Sequence, residues 1–97
     1  MMRQEVINII QHYQQELIDV YGVQSLALFG SVVRNEAGAS SDIDMLVEFN
    51  RPVGLFGLFA LQDRLEELFG CRVDLGTPDS LKPRLRPAVK AELVYVP

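Results

Sequence analysis

Apolar residues near the start of the chain recur every three or four positions: Val6, Ile10, Tyr13, Leu17 and Val20 or Tyr21. That spacing predicts an amphipathic helix over about residues 2–21, stopped by Gly22. Ser25 to Phe29 is a short apolar run ahead of Gly30-Ser31 and predicts a buried strand. Residues 31–36 are expected to form a short helix, and the small polar stretch Glu36 to Ser41 a loop. From Ile43 to Phe49 the pattern alternates, with Ile43, Met45 and Val47 on one face and Asp44, Leu46 and Glu48 on the other, so a second strand is expected. Pro52 and Gly54 punctuate the next start, and Leu58, Leu61, Leu65 and Leu68 carry a helical stripe to Gly70. Arg72 to Leu75 reads as a third strand, ended by Gly76-Thr77-Pro78. In the tail, Pro83 and Pro87 argue against one unbroken helix; a turn, a short helix near 87–93 and an extended end at Leu93–Val96 are expected. The order α-β-α-β-α-β-α predicts a small α/β (α+β) fold, a mixed sheet with helices packed on it.

Composition narrows the class. The 97 residues are expected to form one domain, 1–97. Nine Lys and Arg against thirteen Asp and Glu leave a net charge of −4, which disfavours a nucleic-acid partner, since phosphate backbones select basic surface. Cys71 is the one cysteine, so a disulfide framework and a thiolate metal site are excluded, and a reducing cytoplasm fits. Met1-Met2-Arg3-Gln4-Glu5 turns polar at once, with no signal-peptide core. The longest apolar run, Val53 to Leu61, is far short of the roughly 20 residues that span a bilayer, so no membrane partner is expected. At 48% hydrophobic residues, some apolar surface is expected to be covered by a partner.

Three places could carry chemistry. Asp42 and Asp44 lie two apart at the head of a strand, which puts both carboxylates on one face, roughly 7 Å apart. They repel unless a cation neutralises them, and oxygen ligands of this kind suit Mg²⁺ or Mn²⁺. Asp74 sits between Val73 and Leu75, an unusual place for an ionised group. If its strand pairs with Ile43–Phe49, it completes a three-carboxylate cluster of the kind that holds two divalent ions for displacement at phosphorus. The plainer reading makes Asp42 a turn cap and Asp44 a solvated residue. Gly30-Ser31 follows a buried strand and opens the expected short helix, whose first N–H groups can meet an anion; alternatively it is a plain strand-helix turn with Ser31 as N-cap. Other candidates are weaker. His12 has no second ligand near it, and Cys71 reads as a small buried filler. Lys82, Arg86 and Lys90 make a stripe if the tail is helical, either a contact or a solvated face. Leu55, Phe56, Leu58 and Phe59 leave too few polar positions for a free helix, so some are core or interface.

The order Gly30-Ser31-x-x-Arg34, then Ser41-Asp42-Ile43-Asp44-x-Leu46-Val47, then Val73-Asp74-Leu75, resembles the minimal nucleotidyltransferase (MNT) family of the polymerase-beta-like superfamily. The likeness runs to the Thr77-Pro78-Asp79-Ser80-Leu81-Lys82 segment. One departure is Asn35, where the family usually has Gly; Asn tolerates positive φ better than most residues, so the turn is expected to survive. The resemblance implies a palm-like fold and a Mg²⁺-dependent transfer of AMP from ATP. It implies that Asp42, Asp44 and Asp74 are catalytic and bind two Mg²⁺, and that Gly30 and Ser31 hold the β- and γ-phosphates. Asp74 would also help deprotonate the attacking hydroxyl. Arg34 would either assist the phosphates or pair with a carboxylate. Members of this kind resemble the antitoxin of HEPN/MNT toxin–antitoxin pairs, which implies a HEPN-type ribonuclease as protein acceptor, modified on tyrosine, in a hetero-oligomer. The alternative is an antitoxin that neutralises its partner by binding alone.

Overall fold

The computed structural model describes residues 1–36 and 42–97. The expected loop therefore lies, beyond Glu36, outside the described residues. The first helical pattern forms two helices, α1 (Arg3–His12) and α2 (Gln14–Asp19), parted at Tyr13, whose backbone turns to φ −103°, ψ 13°. One continuous helix was the expectation from spacing, and no Gly or Pro marks the interruption. Its tertiary setting is distinctive: Arg64 lies 5.5 Å above the Tyr13 ring and forks onto Glu16 at 2.6 and 3.0 Å. Gly22, at φ +72°, ends this arm as expected.

Strand β1 (Val23–Phe29) starts two residues before the apolar run, because a register irregularity between Val23 and Ser25 lets the chain pair past the polar Gln24. Strand β2 is Ile43–Phe49, helix α3 Gly54–Phe69 and strand β3 Val73–Gly76. The tail makes 3-10 turns at Pro78–Ser80 and Pro83–Leu85, then helix α4 (Arg86–Glu92) and strand β4 (Val94–Tyr95). The short helix expected at 31–36 is instead a single 3-10 turn, Gly30–Val32, followed by turns, since Asn35 takes positive φ and a right-handed helix cannot run through it.

The sheet order is β3-β2-β1-β4, with β2 and β3 parallel and the other pairs antiparallel. One face carries Leu26, Leu28, Ile43, Met45, Val47, Val73 and Leu75, all buried with Val6, Ile10, Leu17, Leu61, Leu65 and Phe69 from the helices. Leu58 and Leu68, also placed on the stripe of α3, are half-buried at the core margin. Leu55, Phe56 and Phe59 point outward, Phe56 at 91% exposure, which resolves their reading away from the core. The tail crosses the other sheet face, where Ala27 and Leu46 are buried, and closes over a cavity of about 330 Å³.

Candidate functional site

Alternation along β2 sets Asp44, Leu46 and Glu48 on the face away from the helical core. Parallel pairing brings Ile43 opposite Val73 and Asp44 opposite Asp74, the juxtaposition on which the three-carboxylate reading depended. β3 is an edge strand, and α3 secures its free side. Gln62 Nε2 donates to the Val73 carbonyl at 2.9 Å, and Glu66 Oε2 accepts the Val73 N–H at 2.9 Å. Both backbone groups of the residue before Asp74 are thereby held by α3. Spacing alone does not reveal this clamp, because Gln62 and Glu66 read as ordinary polar helix positions.

Gly30 approaches from β1. Phe29 is the register partner of Asp44, so the chain turns into Gly30 beside the carboxylate. Gly30 has φ +75°, and a Cβ there would lie 2.4 Å from Asp44 Oδ2. Only glycine satisfies both the left-handed backbone and the close approach. Asp44 is half-buried while Asp42 and Asp74 are exposed. The Asp44 pKa is raised, first by burial, then by the negative charges of Asp74 and Asp42 and by a hydrogen bond with Asp74; Arg34 opposes the rise. Among the described residues, no three His, Cys, Asp or Glu side chains stand as a closed metal cage. Asp44 and Asp74 nevertheless lie opposite each other on paired strands, and the charges of Asp74 and Asp42 both act on Asp44, a repulsion between hard oxygen groups that a divalent cation would relieve.

Arg34 is paired with carboxylates. Its Nε contacts Glu36 at 3.1 Å, and its Nη1 contacts Glu92. The hydrogen bond to Glu36, then the hydrogen bond and charge of Glu92, raise the guanidinium pKa, so Arg34 is a fixed cation. Asn35 has φ +56°, so the turn expected to tolerate Asn does form. Ser31 is half-buried on the 3-10 turn after Gly30.

The cavity continues along the same sheet face. Ala27, Leu46, Leu81, Val89, Leu93 and Tyr95 give it apolar walls, and Glu48, Arg86 and Lys90 its charged rim. Arg86 and Lys90 thus share one wall, while Lys82 lies outside α4, so the three do not form a single helical stripe. A volume of about 330 Å³ lies in the range of small-molecule sites. His12 packs edge-on against Tyr13 at 4.9 Å, and Cys71 is half-buried against the core with its pKa raised by burial.

The family described as nucleotidyltransferase domain matches residues 6–96. The protein adenylyltransferase MntA of Thermococcus cleftensis is 40% identical over 93 residues, covering 96% of this chain and 94% of that one. A solved candidate minimal nucleotidyltransferase superposes with TM-score 0.78 at 35% identity, over 97% of this chain and 95% of the other. The fold is also that of a structure described as a tri-AMPylated Shewanella oneidensis HEPN toxin in complex with MNT antitoxin, at TM-score 0.68 and 23% identity, covering 98% of this chain and 71% of that one.

Proposed function

Because the chain belongs to the nucleotidyltransferase family, we propose that it transfers AMP from ATP to a tyrosine of a HEPN-type ribonuclease and so acts as the antitoxin of a cytoplasmic toxin–antitoxin pair. The observation that carries this reading is the register of Asp44 against Asp74 with Gly30 pressed onto Asp44. In it Asp42, Asp44 and Asp74 would hold Mg²⁺, preferably two ions. When bound, the metal would neutralise charge building on the α-phosphate and on departing pyrophosphate. Asp74, exposed on the edge strand, takes the proton of the attacking hydroxyl. Gly30 and Ser31 offer the turn for the phosphate tail, and Arg34 supplies fixed positive charge beside it. The apolar cavity on the same sheet face receives the nucleoside, stacked toward Tyr95 and Leu46.

The test is transfer. The protein and its cognate HEPN partner are mixed with ATP and Mg²⁺, and the partner is weighed by intact mass spectrometry. AMP-sized increments on a tyrosine are expected, and none with the Asp42→Asn/Asp44→Asn double variant. Neutralisation at unchanged mass, equal in the double variant, would replace this reading with an antitoxin that acts by binding alone.

A further inference from the structure

Glu92 is the last residue of α4, yet it reaches back 62 positions to the glycine turn. Its Oε2 accepts the Gly30 N–H at 3.3 Å, and its Oε1 accepts from Arg34 Nη1. One carboxylate therefore bridges a backbone N–H of a left-handed glycine turn and a guanidinium. Those are the donors a bound oxyanion takes. The chain fills its own anion cradle with a side chain.

The surroundings make this an unfavourable place for an acid kept only to staple the fold. Asp44 stands against the same glycine, and Asp42 and Asp74 act on Asp44 in turn. Glu92 adds a further negative charge to that end of the sheet. Its pair with Arg34 is also half-open, at 37% and 44% side-chain exposure, so water screens it and it contributes little to stability. Such a contact is cheap to exchange. A phosphate entering the cradle would meet the same two donors and could not share them with Glu92, because like charges at contact distance repel strongly.

We propose that Glu92 is an internal placeholder for the polyphosphate: it orders Gly30 and Arg34 in the nucleotide-free chain and is expelled when a triphosphate arrives. This rests on the reading of Gly30 and Arg34 as phosphate ligands. The exchange has a mechanical consequence. Glu92 joins α4 to β4, which pairs with β1 only through Ala27↔Tyr95 and Leu28↔Val94. Val89 and Lys90 before Glu92, and Leu93 and Tyr95 after it, line the cavity. Release of Glu92 therefore frees the cavity wall to adjust around the nucleoside as the phosphates seat.

The experiment is a calorimetric titration with Mg²⁺ and inorganic triphosphate, and separately with adenosine, of the wild type, Glu92→Gln, Glu92→Ala and Arg34→Ala. Both Glu92 variants should bind triphosphate roughly two- to fivefold tighter, the worth of removing one half-exposed competing anion. Adenosine affinity should not change. In ¹⁵N spectra the Gly30 amide of the wild type should move on adding triphosphate, and in Glu92→Gln it should be displaced before any is added. Equal or weaker triphosphate binding by both Glu92 variants overturns the proposal. If Arg34→Ala weakens triphosphate binding while the Glu92 variants do not tighten it, the placeholder alone is wrong. If Arg34→Ala changes nothing either, the phosphate reading of the turn falls with it.

Discussion

Replacing Gly30 with alanine perturbs the site in two separable ways. The first is conformational. At φ +75° an L-residue carries a strain of about 1–2 kcal/mol. In a domain of this size each kcal/mol lowers Tm by about 4–8 °C. The second is steric. The new methyl would lie 2.4 Å from Asp44 Oδ2, whereas ordinary contact begins near 3.4 Å, so the carboxylate must retreat by 3.4 − 2.4, about 1 Å. Asp44 Cγ and Cβ already stand at 3.3 and 3.4 Å, so swinging the carboxylate suffices and adds little to the folding cost. The cost falls on function, where a 1 Å misplacement of a reacting group is worth about 10²-fold. Gly70→Ala is the control. Gly70 has nearly the same φ, +70°, at the end of α3, with nothing within 4 Å of its added methyl. Both variants should melt lower by similar amounts. Only Gly30→Ala should lose AMP transfer, measured as initial rate by intact mass of the partner at a temperature where both are folded. Transfer by Gly30→Ala within a few-fold of Gly70→Ala would refute the argument that this glycine exists to seat Asp44.

Asp44→Asn should raise Tm at neutral pH in the absence of divalent cations. A carboxyl whose folded pKa lies above its unfolded one contributes stability below the unfolded pKa and loses it as pH rises through the folded value, so the wild type should lose thermal stability across that window and the variant should not, which a melting series in chelator checks. Gln62→Ala should cost about 1 kcal/mol by freeing the Val73 carbonyl, and should slow transfer beyond what its melting temperature explains, because the strand that carries Asp74 loses one of its two side-chain ties to α3; unchanged kcat in a folded variant would show the clamp to be structural only. Ser31→Ala should weaken triphosphate affinity by about 1–2 kcal/mol, whereas Asp74→Asn should depress turnover more than affinity; equal loss of affinity in calorimetry would contradict that division of roles.

The elements and chemistry legible in the chain are those set by local rules. Period-two alternation located β2 and its two faces, a 3.6-residue stripe located α3, and the turn chemistry of Gly22, Gly30, Asn35 and Gly70 marked where the backbone goes left-handed. Each depends on neighbours a few residues away, so residue order suffices. Asp44 took the face away from the helical core for the same reason, while Asp42 lies just before the strand. The remaining decisions were made by contacts between distant segments. Asp74 meets Asp44 only because β2 and β3 pair in parallel at one register, an outcome no single strand encodes. The break at Tyr13 coincides with Arg64 arriving from α3, and β3 is held by Gln62 and Glu66, polar helix residues without periodic signal. Phe56 could have been core or surface until the packing of α3 turned it outward. Glu92 is silent in the sequence, since an acid at the end of a short tail helix has no local reason to seek a glycine 62 residues away. Electrostatic partners separated so widely are chosen by where the completed sheet and tail bring them, which only the tertiary structure decides.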